Sequence, residues 1–390
     1  MNPDTDTAAG PAPDRAAALA LLEAVDPEAY ARTRNHVDGA VTGLSPWITH
    51  GVLDPPEVLA AVRRRHRVAP DHRLVMELAW REFFQHVWRH RGEAILADLG
   101  PPPGRGPRVA RLPADVAGAA TGVPVVDASV RQLYATGALH NHQRLWLASY
   151  LVHLRKVHWR AGADWMLGHL LDGDLGSNHL SWQWCAGTFA TKPYLFDAAN
   201  VARFAPRLAS PGTVLDRSRA ALEALALGEA DCGPEPGASE PLAAPRLESL
   251  PPGRPRDPDL PGLPSRPGRV FLMHPWSLRR PPQADHVVGV VHAPFHARFP
   301  WSERRWRFVL SAMDRLADQV WLGDLHHLGP ALAGAASLHA RATWHPGYRE
   351  ALEALGVQVE PVPRITADPG EPCRSFSAFW RRVASSVAPG

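Results

Sequence analysis

The chain has 390 residues, 45% apolar and 21% charged, and no apolar run near the roughly 18 residues of a membrane-spanning helix, which excludes a helical membrane protein. Its three cysteines, Cys185, Cys232 and Cys373, form no CxxC pair, so a four-cysteine zinc or iron–sulfur site and a disulfide scaffold are excluded. A reducing cytoplasm is expected, because the opening MNPDTDTAAGPAPD has acids and prolines where an export signal needs basic and then apolar residues. A net charge of +3 is too small to argue for nucleic acid, and the two compositional excesses are 14 Trp against 5 Tyr, and 40 Pro.

In chain order, residues 1–13 are expected to be disordered, and 14–205 to form a mostly α domain. EVLAAVRRRHR, LVMELAWREFFQHVWRHRGEAILADL, VVDASVRQLYATG and NHQRLWLASYLVHLRKVHW all carry apolar residues at three- and four-residue spacing. Residues 206–267 hold 13 of the prolines, which predicts a semi-extended linker with one helical interruption near RSRAALEALAL. From 268 to 390, RVFLMH, VVGVVHA, QVWLGD, LHARATW and VQVEPV read as short buried strands alternating with helices. That pattern predicts a small parallel α/β, Rossmann-like domain.

Three stripes mix charged or polar residues with apolar ones on one helix face, two of them with an indole. Glu77, Trp80, Arg81 and Phe84 follow helical spacing, as do Asn141, Arg144, Leu145 and Ala148. In DGDLGSNHLSWQW, a helix entered near Leu175 puts Asn178 and Trp182 on one face, with Asp172 and Asp174 at its start, where anions are favoured. Arg144 is then a candidate partner for either aspartate. Each stripe also has a plain reading: a capping Asp over buried Trp, or an ordinary interhelical ion pair. Asp172 and Asp174 as a hydrolase pair is disfavoured, because residues two apart around a glycine rarely face one cleft. His50, His140, His142 and His179 repeat no ligand spacing, so no metal is expected. No glycine-rich phosphate loop of the GxGxxG or GxxxxGK[ST] type is present.

Four separated segments, TGLSPWITHGVL (42–53), ELAWREFFQH (77–86), GVPVVDASVRQLYATGALHNHQRLWLASYLV (122–152) and DWMLGHLLDGDLGSNHLSWQWCAGT (164–188), resemble the FAD-binding helical domain of the DNA photolyase/cryptochrome family in order and spacing. The resemblance implies FAD as cofactor. Its pyrophosphate would lie on Thr42, Gly43, Leu44 and Ser45, preceded by Tyr30, with Arg81 and Asn141 beside the cofactor. Arg144 and Asp172 would form the ion pair by the isoalloxazine, Asp174 would meet the flavin's polar edge, and Asn178 would stand by N5. Trp182 resembles the indole nearest the flavin and Trp159 the next outward in an electron relay. No third, surface Trp is placed, with Trp88 or Trp146 as substitutes. Glu77, Trp80, Asn141, Leu145 and Trp184 match positions that contact a flipped pyrimidine dimer, so damaged DNA, single-stranded included, is the implied substrate. Arg63, Arg64, Arg65 and Arg67 are candidate phosphate contacts or a solvated helix end.

The departures bear on function. Gly43 stands where most relatives have Arg, Leu145 replaces Met, Ala138 an aromatic, and His142 an Arg that faces DNA. The family's closing helices are not recognisable after Pro206, and its usual N-terminal antenna domain has no counterpart ahead of the match. SERRWRFVLSAMDRLADQVWLGD and ATWHPGYREALEALGVQVEPV more loosely resemble pieces of that antenna domain; a generic α/β module is the plain alternative. The resemblance implies light-driven repair of cyclobutane pyrimidine dimers by a carbon–carbon lyase. Its alternatives are a cryptochrome-like blue-light receptor with a protein partner, and a flavoprotein of altered function without DNA repair.

Overall fold

The computed structural model describes residues 12–104, 108–190, 192–228, 239–254, 256, 263–264 and 268–387. Residues 1–11 of the expected disordered segment, Cys232 and parts of the 206–267 stretch lie outside them. Seven helices carry the argument: α1 (Ser45–Thr49), α2 (Arg73–Arg91), α3 (Asn141–Ser149), α4 (Trp159–His169), α5 (Leu175–Ala186), α6 (Glu303–Leu316) and α7 (Phe376–Val383).

Local chemistry sets their ends. His72 caps α2 by accepting from Leu74 N, and Arg89, His90 and Arg91 sit in its last turn, where cations meet the negative end of the helix dipole. His140 and Gln143 form a reciprocal capping box at the start of α3. Asp174 caps α5, accepting from Ser177 N at 2.7 Å, and Gly187 ends it at φ +83°, in the left-handed region that favours glycine.

Five parallel strands form the sheet: β1 (Arg269–Met273), β2 (His286–His292), β3 (Gln319–Gly323), β4 (Ser337–Arg341) and β5 (Gln358–Glu360), in spatial order β3-β2-β1-β4-β5. The register places Val270 opposite His286 and Val290 opposite Trp321. All but the first residue of β2 are buried, as expected for a parallel strand covered on both faces. The strand and helix readings from sequence are therefore met in this half.

The chain leaves β1 towards both sides of the sheet, so the strand order reverses between β1 and β4, where open α/β sheets usually take ligands. Here protein fills that crevice. Trp276 stacks on His345, with Tyr348 edge-on to Trp276, and the loop after α1 closes over them. Leu278 N donates to His50 O at 2.8 Å. His50 also holds its two ring nitrogens against Pro275 O and Leu171 O. Gly51 sits at φ +71°, and a Cβ there would lie 2.6 Å from the Trp276 carbonyl oxygen. Burial pushes the His50 and His274 imidazoles down, to about 3 and about 4, and His274, which accepts from Trp276 N at Nδ1 and faces Arg341 O at Nε2, is neutral at neutral pH. At the ends of β2 and β3, His292, Asp324 and His326 bring ligand atoms within 4.8 Å of one another. His292 Nδ1 there accepts from Leu325 N, and His326 Nδ1 lies 2.8 Å from Asp324, which makes the trio a hydrogen-bonded corner.

The two halves share one apolar cluster that runs from Leu44, Trp47 and Phe83 to Val290, Trp306 and Phe379. The stretch after residue 206 contains the expected helix, Arg219–Leu227, and then a two-residue strand, Leu247–Glu248, antiparallel to Trp301–Ser302. Beyond β5 the chain returns to the helical half. The Glu82 carboxylate accepts from Ile365 N, Thr366 N and Thr366 Oγ1, and His86 Nε2 accepts from Cys373 N. Helix α7 then lies on α2.

Candidate functional site

A cavity of about 700 Å³ opens among α1, α2, α3, α5 and the turn 170–174. The three mixed stripes converge on it: Glu77, Trp80, Arg81 and Phe84 from α2, Asn141, Arg144, Leu145 and Ala148 from α3, Asn178 and Trp182 from α5. Tyr30, the loop Thr42–Gly43–Leu44–Ser45, Asp172 and Asp174 complete the wall. Helical periodicity brought these residues to one face of each helix, and the packing of the helices made the faces meet.

The polar groups are placed by specific bonds. Arg144 Nη2 reaches both oxygens of Asp172, at 3.0 and 2.8 Å, while its Nε donates to Leu139 O. Asp174 is buried, bonded to Gln85 Nε2 as well as to the α5 start, and 3.9 Å from Arg81. Arg81 donates to Thr49 Oγ1. Neither aspartate is left as a free acid or base, so the hydrolase pairing has no geometry here. Asn178 donates its amide hydrogen to Ala163 O at 2.8 Å, which leaves its carbonyl oxygen as an acceptor for a ring N–H. Glu77 pairs with Arg34 at 2.8 Å; burial raises its pKa against that pairing. Burial, and Glu77 nearby, hold the Tyr30 hydroxyl protonated.

A buried cation from the other half underlies this wall. Arg305 of α6 donates to Leu167 O at 2.7 Å and to Gly173 O, and its guanidinium lies 3.9 Å from the centre of the Trp301 ring. Burial pushes its pKa down to about 9, opposed by Asp172 and Asp174, so it is a cation at neutral pH. Nothing in the sequence signals this residue, which stands 131 positions after Asp174 in an unrelated segment.

Several expectations need correction. Trp80 lines the cavity, but one face of its ring is covered by Phe376 of α7, with centroids 4.0 Å apart and planes 8° apart, so that face is not open to a base. Trp184 is not among the cavity-lining residues; two positions past Trp182, a helix has turned by about 200°, and Trp184 lies against Tyr194 instead. His142 is half-buried between Phe204 and Trp146, and burial lowers it to about 4, so it supplies no charge for a phosphate. In the arginine run, Arg63 and Arg65 each donate to a backbone carbonyl, Val68 O and Leu22 O, and Arg64, Arg65 and Arg67 are exposed. His140 is bound to Arg34 O, His179 to Asp164, and His50 to Pro275 O and Leu171 O.

Trp182 is buried with its ring edge on Gly162, where a Cβ would come within 2.3 Å of it. Trp159, one helical turn before Gly162 on α4, is buried behind the cavity wall. Of the substitutes for a third relay ring, Trp88 packs on Gly176 and His345, and Trp146 stacks on Phe196 and donates to Asn200.

The cavity fits FAD by its own features. Ser177 Oγ lines it, buried and without a hydrogen-bond partner, as an orphan donor awaits a polar ligand. Gly43 sits at φ +67° with open space around it, which lets the loop backbone face the cavity. The volume is in the range of small-molecule sites.

A family model described as the FAD binding domain of DNA photolyase matches residues 74–218. A deoxyribodipyrimidine photo-lyase of Streptomyces griseus is 37% identical over 153 residues, covering 38% of this chain and 32% of its own length. A cryptochrome DASH of Synechocystis sp. is 36% identical over 168 residues, covering 40% and 34%. The chain thus spans about a third of the curated relatives it matches. A solved Synechocystis cryptochrome superposes with a TM-score of 0.45 at 29% identity, over 50% of this chain and 43% of that one. No described helix is long and apolar enough to cross a membrane. Residues 74–218 thus match the FAD binding domain of DNA photolyase, and that segment, together with the 42–45 loop, lines a cavity whose own features fit FAD.

Proposed function

We propose that the chain is a light-driven electron-transfer flavoprotein whose first substrate is pyrimidine-dimer DNA. The observation that carries this is the single cavity in which the flavin set (Arg144, Asp172, Asp174, Asn178) and the substrate set (Glu77, Trp80, Asn141, Leu145) are contiguous. Bound there, FAD supplies light absorption and one-electron exchange. The residues do the rest. Arg144 and Asp172 orient the ring system, Asn178 offers an oxygen to a ring N–H, and the 42–45 loop presents its backbone to the phosphates. Trp182 and Trp159 carry electrons inward, and Glu77 is poised to donate or accept a hydrogen bond to a base edge. Residues 14–205, 206–267 and 268–390 are proposed as its helical domain, connecting stretch and α/β domain, the last an antenna-like module in position.

A second reading, a blue-light sensor acting on a protein partner, is favoured by the Phe376 ring on Trp80, which takes a face that a flipped base would use. Illuminating the flavin-loaded, reduced protein with dimer-containing single- and double-stranded DNA separates the two. Loss of dimers is expected; none, with the flavin demonstrably reduced, leaves the sensor.

The Gly43 loop yields a further expectation. Gly43→Ala meets no atom within 4 Å, so its penalty is purely the left-handed backbone, about 1 kcal/mol. If the loop must hold that conformation to meet the phosphates, FAD affinity falls roughly fivefold by fluorescence titration. Unchanged affinity would detach the loop from the phosphates.

A further inference from the structure

We infer that Asp98 is the proton acceptor that terminates the tryptophan relay at Trp159. This rests on the reading of Trp182 and Trp159 as electron carriers to the flavin. The Trp159 indole Nε1 donates to Asp98 Oδ1 at 2.6 Å, shorter than an ordinary N–H···O bond and of the kind a carboxylate makes with a strong donor. Trp159 is 2% exposed, so its N–H has no open route to bulk water, whereas the Asp98 side chain is 35% exposed and does. The Trp159 ring touches His158 and His179, and His179 is bound to Asp164, so among the described residues the ring is in contact with imidazoles and with no further indole or phenol that could take the hole onward.

An electron hole that reaches a dead end returns unless it is trapped. One electron leaves Trp182 for the light-excited flavin, and one leaves Trp159 to refill Trp182. The oxidised Trp159 ring is far more acidic at its N–H than the neutral ring, and its proton passes along the existing hydrogen bond to Asp98 Oδ1. The products are a neutral indolyl radical and a protonated Asp98 side chain, so no charge remains on the ring to pull the electron back. Asp98 then releases the proton to water. A thiol or similar donor of one electron and one proton restores the indole. Beyond Trp159, where no third tryptophan is placed, a surface-connected carboxylate ends the relay.

Asp98→Asn keeps an acceptor oxygen for the indole and removes the base; Asp98→Glu keeps the base. After a flash on the flavin-loaded protein, the wild type and the Glu variant should show the deprotonated indolyl radical, while the Asn variant shows the cation and recombines roughly tenfold faster or more. In flavin-free, ¹⁵N-labelled protein the Trp159 indole N–H signal should lie well downfield and move upfield in the Asn variant. If the Asn variant does not fold, the wild type alone decides through formation of the neutral radical with a solvent deuterium effect. Deprotonated radical with unchanged decay in the Asn variant, or formation without a deuterium effect in the wild type, overturns the role of Asp98. Failure of the relay itself is read separately: flavin photoreduction unaffected by Trp182→Phe.

Discussion

Replacing Arg305 with methionine is expected to cost the fold about 3–5 kcal/mol and to loosen the flavin at the same time. The guanidinium satisfies two buried carbonyls, of Leu167 and Gly173, that frame the turn carrying Asp172 and Asp174. It also approaches Gly173 so closely that a Cβ there would lie 2.4 Å from Nη1, which explains the glycine between the two aspartates. Methionine fills the same space and keeps the contact with Trp301, but leaves both carbonyls unpaired and removes the cation that faces the two carboxylates. The turn should then relax and shift Asp172 relative to Arg144. Denaturant unfolding and FAD titration on the same preparation check this. A variant with wild-type midpoint and wild-type flavin affinity would show that the α/β half does not support the site.

The residues that periodicity can see are those on one helix face, and they were legible. Glu77, Trp80, Arg81 and Phe84 share a face because the α-helix repeats every 3.6 residues, and so do Asn141, Arg144 and Leu145. Periodicity left Arg144 a candidate partner for either aspartate, and the resemblance chose Asp172, with which it pairs, while Asp174 caps α5. Arg305, Phe376 and the Glu82 contacts were not legible, since each joins segments more than 100 residues apart and no local pattern encodes which distant strand or helix will arrive. Trp184, two positions past Trp182 on α5, points away from it, towards Tyr194. The six tryptophans beyond the 206–267 stretch, unexplained by composition, prove to be mainly packing. Trp301 and Trp306 pack on His296, Arg305 lies over Trp301, Trp276 meets Trp301 edge-on, Trp321 is buried in β3, and Trp380 stacks on Phe376.

The C-terminal return bears on the same site. Helix α7 packs its apolar face on α2 at the helix that carries Glu77, Trp80 and Arg81, and Glu82 and His86 pin the chain leading to it. The far end of the chain thus supplies a cover for the helical half, and the cover sits at the cavity's edge. Whether that edge is a substrate platform decides between the repair and sensor readings.

Phe376→Ala addresses this directly, and two effects are expected from one change. Phe376 is buried between Trp80, Phe83 and Trp380, so truncation should lower unfolding stability by about 3 kcal/mol. It also uncovers the face of Trp80. Stacking of a base on an aromatic ring is worth about 1–3 kcal/mol, so if Trp80 receives a flipped dimer, affinity for a dimer-containing oligonucleotide should rise roughly tenfold. Phe376→Leu separates the two effects, because leucine retains most of the apolar burial and lacks the ring. Its stability should lie within about 1.5 kcal/mol of the wild type while its DNA affinity still rises. Binding measured by anisotropy with damaged and undamaged strands gives the result. If both variants bind damaged DNA no better than the wild type while retaining flavin and its photoreduction, Trp80 is a structural ring held by α7. Phe376 would then be part of a sensor's core rather than a cover over a repair site.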